Sequence, residues 1–168
     1  MTGLEGFERF VRDRSSDLLR YGCALTGDGD AAQDLVQEAL TRMAERWSKQ
    51  SFDDPAAYAR TVMVRLNVDR YRRLRRETPA LETGTRPEGR DPTAGGVHDD
   101  WLLPALRYLS ANQRTALALR FVEDLEVDEI ARRMGCRPGT ARSHLSRGLS
   151  RLREAWPARN SAGVVEPR

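Results

Sequence analysis

The chain has a single lysine, Lys49, two cysteines, Cys23 and Cys136, and two histidines, His98 and His144. A structural zinc site needs about four ligands, and these histidines do not cluster with the cysteines, so no metal and no other cofactor is expected. Two distant cysteines make no disulfide framework, and both thiols are expected to be reduced and buried, as in a reducing cytoplasm. No apolar run approaches the roughly 20 residues a membrane-spanning helix needs, so no membrane insertion is expected. The first ten residues carry Glu5 and Glu8 and lack an apolar signal core, which argues against export. No glycine-rich phosphate loop with a following lysine is present. Nor is there a grouping of carboxylates or histidines suited to proton transfer or metal-assisted chemistry. Asp28, Asp30 and Asp34 are close together, but they read as a helix start. No catalytic residue is expected, and the chain does not read as an enzyme.

With lysine nearly absent, positive charge means arginine. The net charge is only +3 over 168 residues, so the distribution carries the information. Between Arg60 and Arg76 stand seven arginines against one acid, Asp69. Between Ala131 and Arg153 stand seven more and no acid, and the stretch Glu123 to Glu129 just before holds five acids. Such segregation suggests two basic faces that meet polyanions. The plainer alternative, two solvated helix faces, is not separable from it by composition.

The pattern is all-α: two small helical domains joined by a flexible linker. Residues 1–76 lack convincing strand alternation, whereas Phe7, Phe10, Val11, Leu18, Leu19 and Ala24 recur at helical spacing. A break at Thr26–Gly29 precedes a second helix, with Asp30 as its expected N-cap and Asp34 in its opening turns. Asp54 followed by Pro55 starts a third. Residues 77–100 hold Pro79, Pro87, Pro92 and four glycines, with almost nothing to build a core, and read as the linker. Residues 101–157 form the second block, in which Ser110 and Gln113 have capping-box form. Residues 158–168 are expected to be a disordered tail.

Within the second block, VDEIARRMGCRPGTARSHLSRGLSRL has helix-turn-helix spacing. Ala131 is small where two helices cross, Gly135 suits a left-handed turn, Pro138 opens the second helix, and Ala141 and Leu145 face inward. The outward face is then Arg137, Thr140, Arg142, Ser143, Ser146 and Arg147. Arginine can bind a guanine edge through two hydrogen bonds, and hydroxyls reach bases or phosphates. An ordinary helical hairpin with a basic exposed side is the competing reading. The acid-free second helix behind an acidic turn favours DNA.

LPALRYLSANQRTALALRFVEDLEVDEIARRMGCRPGTARSHLSRGLSRLRE resembles the C-terminal promoter-binding domain of extracytoplasmic-function sigma factors. In the first block, Asp34-Leu35-Val36-Gln37-Glu38-Ala39 resembles the family's polymerase-binding helix. Tyr58-Ala59-Arg60-Thr61-Val62-Met63, followed by Asp69 and Arg72-Arg73, resembles its promoter-melting helix. The arginine bias points to the SigE-like actinobacterial branch. This resemblance implies core RNA polymerase as partner, met at its β′ clamp helices through Asp34, Gln37 and Glu38 and at its β flap. It implies promoter DNA as the second partner, and an anti-sigma factor as a further one.

The resemblance also implies capture of the minus-ten strand by Arg60, Arg65, Arg70, Tyr71, Arg72 and Arg73, with Phe52 in the base-reading loop. Phe52 and Tyr58 suit a core equally well. An ungapped match puts Arg65 where the family usually has asparagine, with Asn67 two positions later, and leaves that role open between them. The minus-thirty-five element falls to the outward face of the helix-turn-helix. Glu126 and Arg137 stand where hydroxyl N-caps are common, so weaker helix starts are expected there. A one-component helix-turn-helix regulator acting without polymerase is the rival reading, and a buried ligand pocket in the first block would mark it.

Overall fold

The structure is a computed structural model that describes residues 3–77 and 102–155, and every regular element among them is an α-helix. The first block contains α1 (Gly3–Thr26), α2 (Gly29–Trp47) and α3 (Pro55–Glu77). The second contains α4 (Leu102–Arg107), α5 (Ala111–Phe121), α6 (Val127–Met134) and α7 (Pro138–Ala155). The expected linker, apart from Glu77 at the end of α3, and the expected tail lie outside the described residues.

The helix ends follow local chemistry. Gly27 at φ +69° closes α1 in the left-handed region, so the chain is extended again at Asp28, which caps α2 by accepting from the Ala31 N–H at 2.8 Å. Asp28 therefore takes the cap expected of Asp30, which falls in the first turn. Asp54 accepts from the Ala57 N–H at 3.0 Å ahead of Pro55, as the sequence predicts. Ser110 and Gln113 form both bonds of the capping box on α5. Glu126 precedes α6 without a side-chain cap bond, because its carboxylate accepts from Arg120 Nη1 at 2.9 Å instead.

Gly135 ends α6 at φ +63°, and the Cys136 N–H reaches back to the Ala131 carbonyl at 2.9 Å. This is the sharp turn that the helix-turn-helix spacing requires. Cys136 is consequently only half-buried, unlike Cys23, and this corrects the expectation of two buried thiols. Burial pushes both thiols above their ordinary range, although Arg72 opposes the shift at Cys136.

In the three-helix block, Leu35, Ala39 and Met43 of α2 meet Ala59, Met63 and Leu66 of α3 and Leu18, Tyr21 and Leu25 of α1 in one cluster. Phe7 and Phe10 pack on Trp47, whose ring also stacks on Phe52 with centroids 5.4 Å apart. Phe52 continues to Tyr58 at 4.8 Å, and the Tyr58 hydroxyl accepts from Arg46 Nη1 at 2.9 Å.

Helix α3 is buried in a way that a single packing face does not allow. Val62, Met63 and Val64 are buried in succession, and so are Leu66, Asn67 and Val68. Successive helical residues point about 100° apart, so such runs face two directions. One side meets α1 and α2. The other meets the second block, whose Ala118, Leu119, Ile130, Ala131 and Met134 belong to the same cluster. The two blocks are thus packed together. A smaller cluster of Leu106, Leu109 and Leu117, with Leu145, Leu149 and Leu152 against it, holds α4 and α5 to α7.

Gly135→Ala is expected to destabilise the chain by about 1–2 kcal/mol, the usual penalty for a side chain in the left-handed region. The added Cβ would also stand 2.6 Å from Arg72 Nη2. Urea unfolding monitored by helicity checks this, and an unchanged midpoint would mean the turn relaxes without cost.

Candidate nucleic-acid interface

Helix α7 lies across α5 at close range. A Cβ at Gly148 would come within 2.9 Å of Leu117 Cδ1, and Ala141 is fully buried. With that side committed inward, the opposite side is left to solvent. Arg137, Thr140, Arg142, Ser143, Ser146 and Arg147 are all exposed. The structure therefore brings all six residues of the expected outward face onto one surface. Ser143 Oγ donates to the Gly139 carbonyl at 3.0 Å, which leaves its lone pairs outward. His144 is half-buried, and burial together with Arg147 holds its imidazole below the ordinary range, so it is neutral near pH 7. The charge of this face is the charge of its arginines, next to the positive end of the helix dipole.

The expected minus-ten residues do not form one free surface. Arg65, Arg70, Arg72 and Arg73 are exposed, and Arg73 Nε donates weakly to the Asp69 carbonyl at 3.4 Å. Arg65 borders a polar cleft of about 290 Å³ between α3 and α6, lined also by Thr61, Glu129, Arg132 and Arg133. Asn67 and Arg72 bond to the second block. Asn67 is only 7% exposed and donates through Nδ2 to Thr115 Oγ1 at 3.2 Å. Arg72 Nη2 donates to the carbonyls of Met134 and Gly135 at 3.1 and 3.3 Å, inside the turn of the helix-turn-helix. Tyr71 and Arg60 are half-buried, and the Arg60 Nε is buried and unpartnered among the described residues. Phe52 is a partly buried member of the aromatic cluster.

On α2, Asp34, Gln37 and Glu38 are exposed along one stretch, with Glu38 paired to Arg42 at 2.7 Å. A solvated pair of this kind contributes little stability. Beside it an apolar groove of about 520 Å³ runs between α1 and α2, lined by Phe7, Val11, Leu19, Val36 and Leu40.

Several residues that organise this surface escape sequence reasoning. The Tyr21 hydroxyl donates to Glu123, whose carboxylate also receives Arg133 Nη1 at 2.8 Å and is 7% exposed. Burial, reinforced by that carboxylate, keeps the Tyr21 hydroxyl protonated far above the usual phenol range. Arg133 Nη1 also reaches Thr61 Oγ1 at 3.4 Å. Arg114 donates to the carbonyls of Leu25, Leu106 and Leu109 at 3.2, 3.2 and 2.7 Å. Burial pushes its guanidinium down to about 10, so it stays charged at neutral pH. The available signal was an arginine set among the apolar residues of α5, a position costly to fill unless its donors are satisfied. The partners 89 residues away at Leu25 were not legible.

Comparison with known proteins fits this geometry. Residues 10–77 match the family described as Sigma-70 region 2, and residues 99–152 match Sigma-70, region 4. Matches in this order, over most of the chain, define a sigma-70-type initiation factor. The RNA polymerase sigma-E factor of Streptomyces coelicolor is 36% identical over 159 residues, covering 92% of this chain and 88% of that protein. The ECF RNA polymerase sigma factor SigL of Mycobacterium tuberculosis is 30% identical, covering 84% and 83%. The sigma factor RpoE of Bartonella quintana, solved with the anti-sigma factor NepR, shares the fold at a TM-score of 0.62 and 24% identity, covering 91% of this chain and 98% of that one.

The chain belongs to the extracytoplasmic-function group of RNA polymerase sigma factors, with SigE-like actinobacterial relatives. Its function is promoter recognition and transcription initiation with core RNA polymerase and promoter DNA, and the one-component regulator is not favoured. Sigma factors are in general non-catalytic. Among the described residues no helix is long and apolar enough to cross a membrane.

Arg114→Met keeps the stem but leaves three carbonyls without their donor, and is expected to cost about 1–3 kcal/mol. The urea midpoint should fall at an unchanged slope. An unchanged midpoint would show that water replaces the guanidinium without penalty.

Proposed function

We propose a division of labour along the chain, with residues 1–76 for polymerase and the minus-ten element and residues 101–157 for the minus-thirty-five element. In this reading Arg142, Ser143, Ser146 and Arg147 of α7 meet base edges in the duplex, and Arg137 and Thr140 hold the backbone at the helix start. Arg60, Arg65, Arg70, Arg72 and Arg73 supply the charge that tracks an unpaired minus-ten strand, and Tyr71 and Phe52 supply stacking surfaces. Arg65, exposed beside a cleft, suits the strand better than the buried Asn67. Asp34, Gln37 and Glu38 meet the β′ clamp helices, and the second block meets the β flap. The chain itself performs no catalysis and works in the cytoplasm beside the polymerase. An anti-sigma factor is a further partner.

The observation that carries this reading is the pair of arginine-rich helices, one in each family-matched block. It is tested by adding the purified chain to core polymerase on genomic templates and mapping the starts. Initiation downstream of one promoter type, only when the chain is present, is expected. Tight duplex binding that ignores polymerase, with no initiation on any template, would overturn it.

Two substitutions separate the roles. Arg142→Ala is expected to lose about 1–3 kcal/mol of discrimination at one base pair, measured by competition between promoter variants. A loss equal on all duplexes would mark a phosphate contact instead. Joint replacement of Arg72 and Arg73 by alanine is expected to reduce open complexes, read by permanganate reactivity, more than closed-complex affinity. Equal damage to both steps would remove the strand-capture role.

A further inference from the structure

We infer that the polar cleft between α3 and α6 is a binding site for a phosphoryl group, held by Arg65 of α3 and by Arg132 and Arg133 of α6. It does not depend on the promoter contacts proposed for Arg65.

The cleft holds about 290 Å³, with Thr61, Val64 and Arg65 on one side and Glu129, Arg132 and Arg133 on the other. Helical spacing produces both sides. Positions 61, 64 and 65 stand at i, i+3 and i+4, and so do 129, 132 and 133, so each triplet shares one face of its helix. Ligand pockets start at about 300 Å³, so this space suits a small molecule. Val64 is the one wholly apolar side chain among the described lining residues, which leaves an apolar ligand little to pack against.

Three guanidinium groups and one carboxylate line this space. Both oxygens of the carboxylate are taken. Glu129 Oε1 receives Arg133 Nε at 3.2 Å, and Glu129 Oε2 pairs with Arg132 Nη2. Arg133 Nη1 is held further by Glu123 at 2.8 Å and reaches Thr61 Oγ1 at 3.4 Å. Its guanidinium is thus fixed before a ligand arrives, which keeps the ordering cost of binding small. Arg65 is exposed and has no partner among the described residues. Even with Glu123 counted, three positive groups stand against two negative ones. The planar fork of an arginine matches the oxygens of a phosphate through paired N–H bonds. A concave space with excess charge of one sign also concentrates the opposite ion. Arg42 on α2 shows the contrast, because its own acid, Glu38, lies one turn away on an open surface.

Two sources carry this chemistry, a small phosphorylated molecule and the backbone of a nucleic-acid strand. Competition between them assigns the source.

The test uses the full chain with inorganic pyrophosphate as the probe, by titration calorimetry at low salt, where screening is weak. Saturable binding is expected. Arg65→Gln and Arg132→Gln are each expected to weaken it about tenfold. Both side chains are exposed, so neither substitution opens the core. Arg12→Gln removes the same charge from an exposed position on α1 outside the cleft, and affinity should stay within a factor of about two. In the unsubstituted chain, the Nε–Hε resonances of Arg65 and Arg132 are expected to shift on titration, a reading that needs no substituted chain to bind. Absence of saturable binding, equal weakening by all three substitutions, or unshifted resonances of Arg65 and Arg132 would overturn the inference. Displacement of bound pyrophosphate by a single-stranded oligothymidylate would assign the site to a strand backbone, and retention would assign it to a small molecule. Failure of initiation with core polymerase would sink the promoter roles and leave pyrophosphate binding as it stands.

Discussion

The hydrogen bond from Asn67 to Thr115 sits deep between α3 and α5, and its burial makes it a constraint on the whole molecule. An amide in that position cannot be left without a partner at low cost, so it fixes which side of α3 faces the second block. Once that side is fixed, Arg72 falls against the carbonyls at the end of α6. The same helix turns its other side to α1 and α2. One helix thus joins the three-helix block to the helix-turn-helix block, and it is also the arginine-rich helix of the first family-matched segment.

The junction combines hydrogen bonds with a shared apolar core. Individual neutral hydrogen bonds contribute about 0.5–1.5 kcal/mol, and bonds to charged groups about 1.5–3 kcal/mol. A small number of them cross the junction, and they add to the apolar core that α3 shares with α5 and α6. The pair of Arg133 and Glu123 lies within the second block and gives it support of its own.

Much of this was legible in residue order. Gly135, Pro138, Ala131 and Ala141 imposed the helix-turn-helix because each position has a steric requirement that few residues meet. Asp54 with Pro55, and Ser110 with Gln113, marked helix starts through bonds made within four residues. The outward face of α7 followed from the inward one by helical periodicity alone. The start of α2 was misplaced by two residues, because Gly27 rather than Gly29 takes the left-handed conformation, and three aspartates in a short stretch offer the same local chemistry. Asn67 and Arg72 were legible as polar residues on a basic helix, which fits a nucleic-acid face and an internal junction equally. Their partners lie 48 and more residues away, across the segment expected to be a linker. Local pattern carries no information about which distant groups a side chain will meet.

The central claim is that the two blocks rest against each other, joined through α3. The most direct measurement is the distance between dyes placed by unnatural amino acids at the exposed positions Ser16 on α1 and Ser150 on α7, followed by single-molecule energy transfer. One narrow, high-transfer population in the free chain is the predicted result. A broad or low-transfer distribution in the free chain would contradict the account.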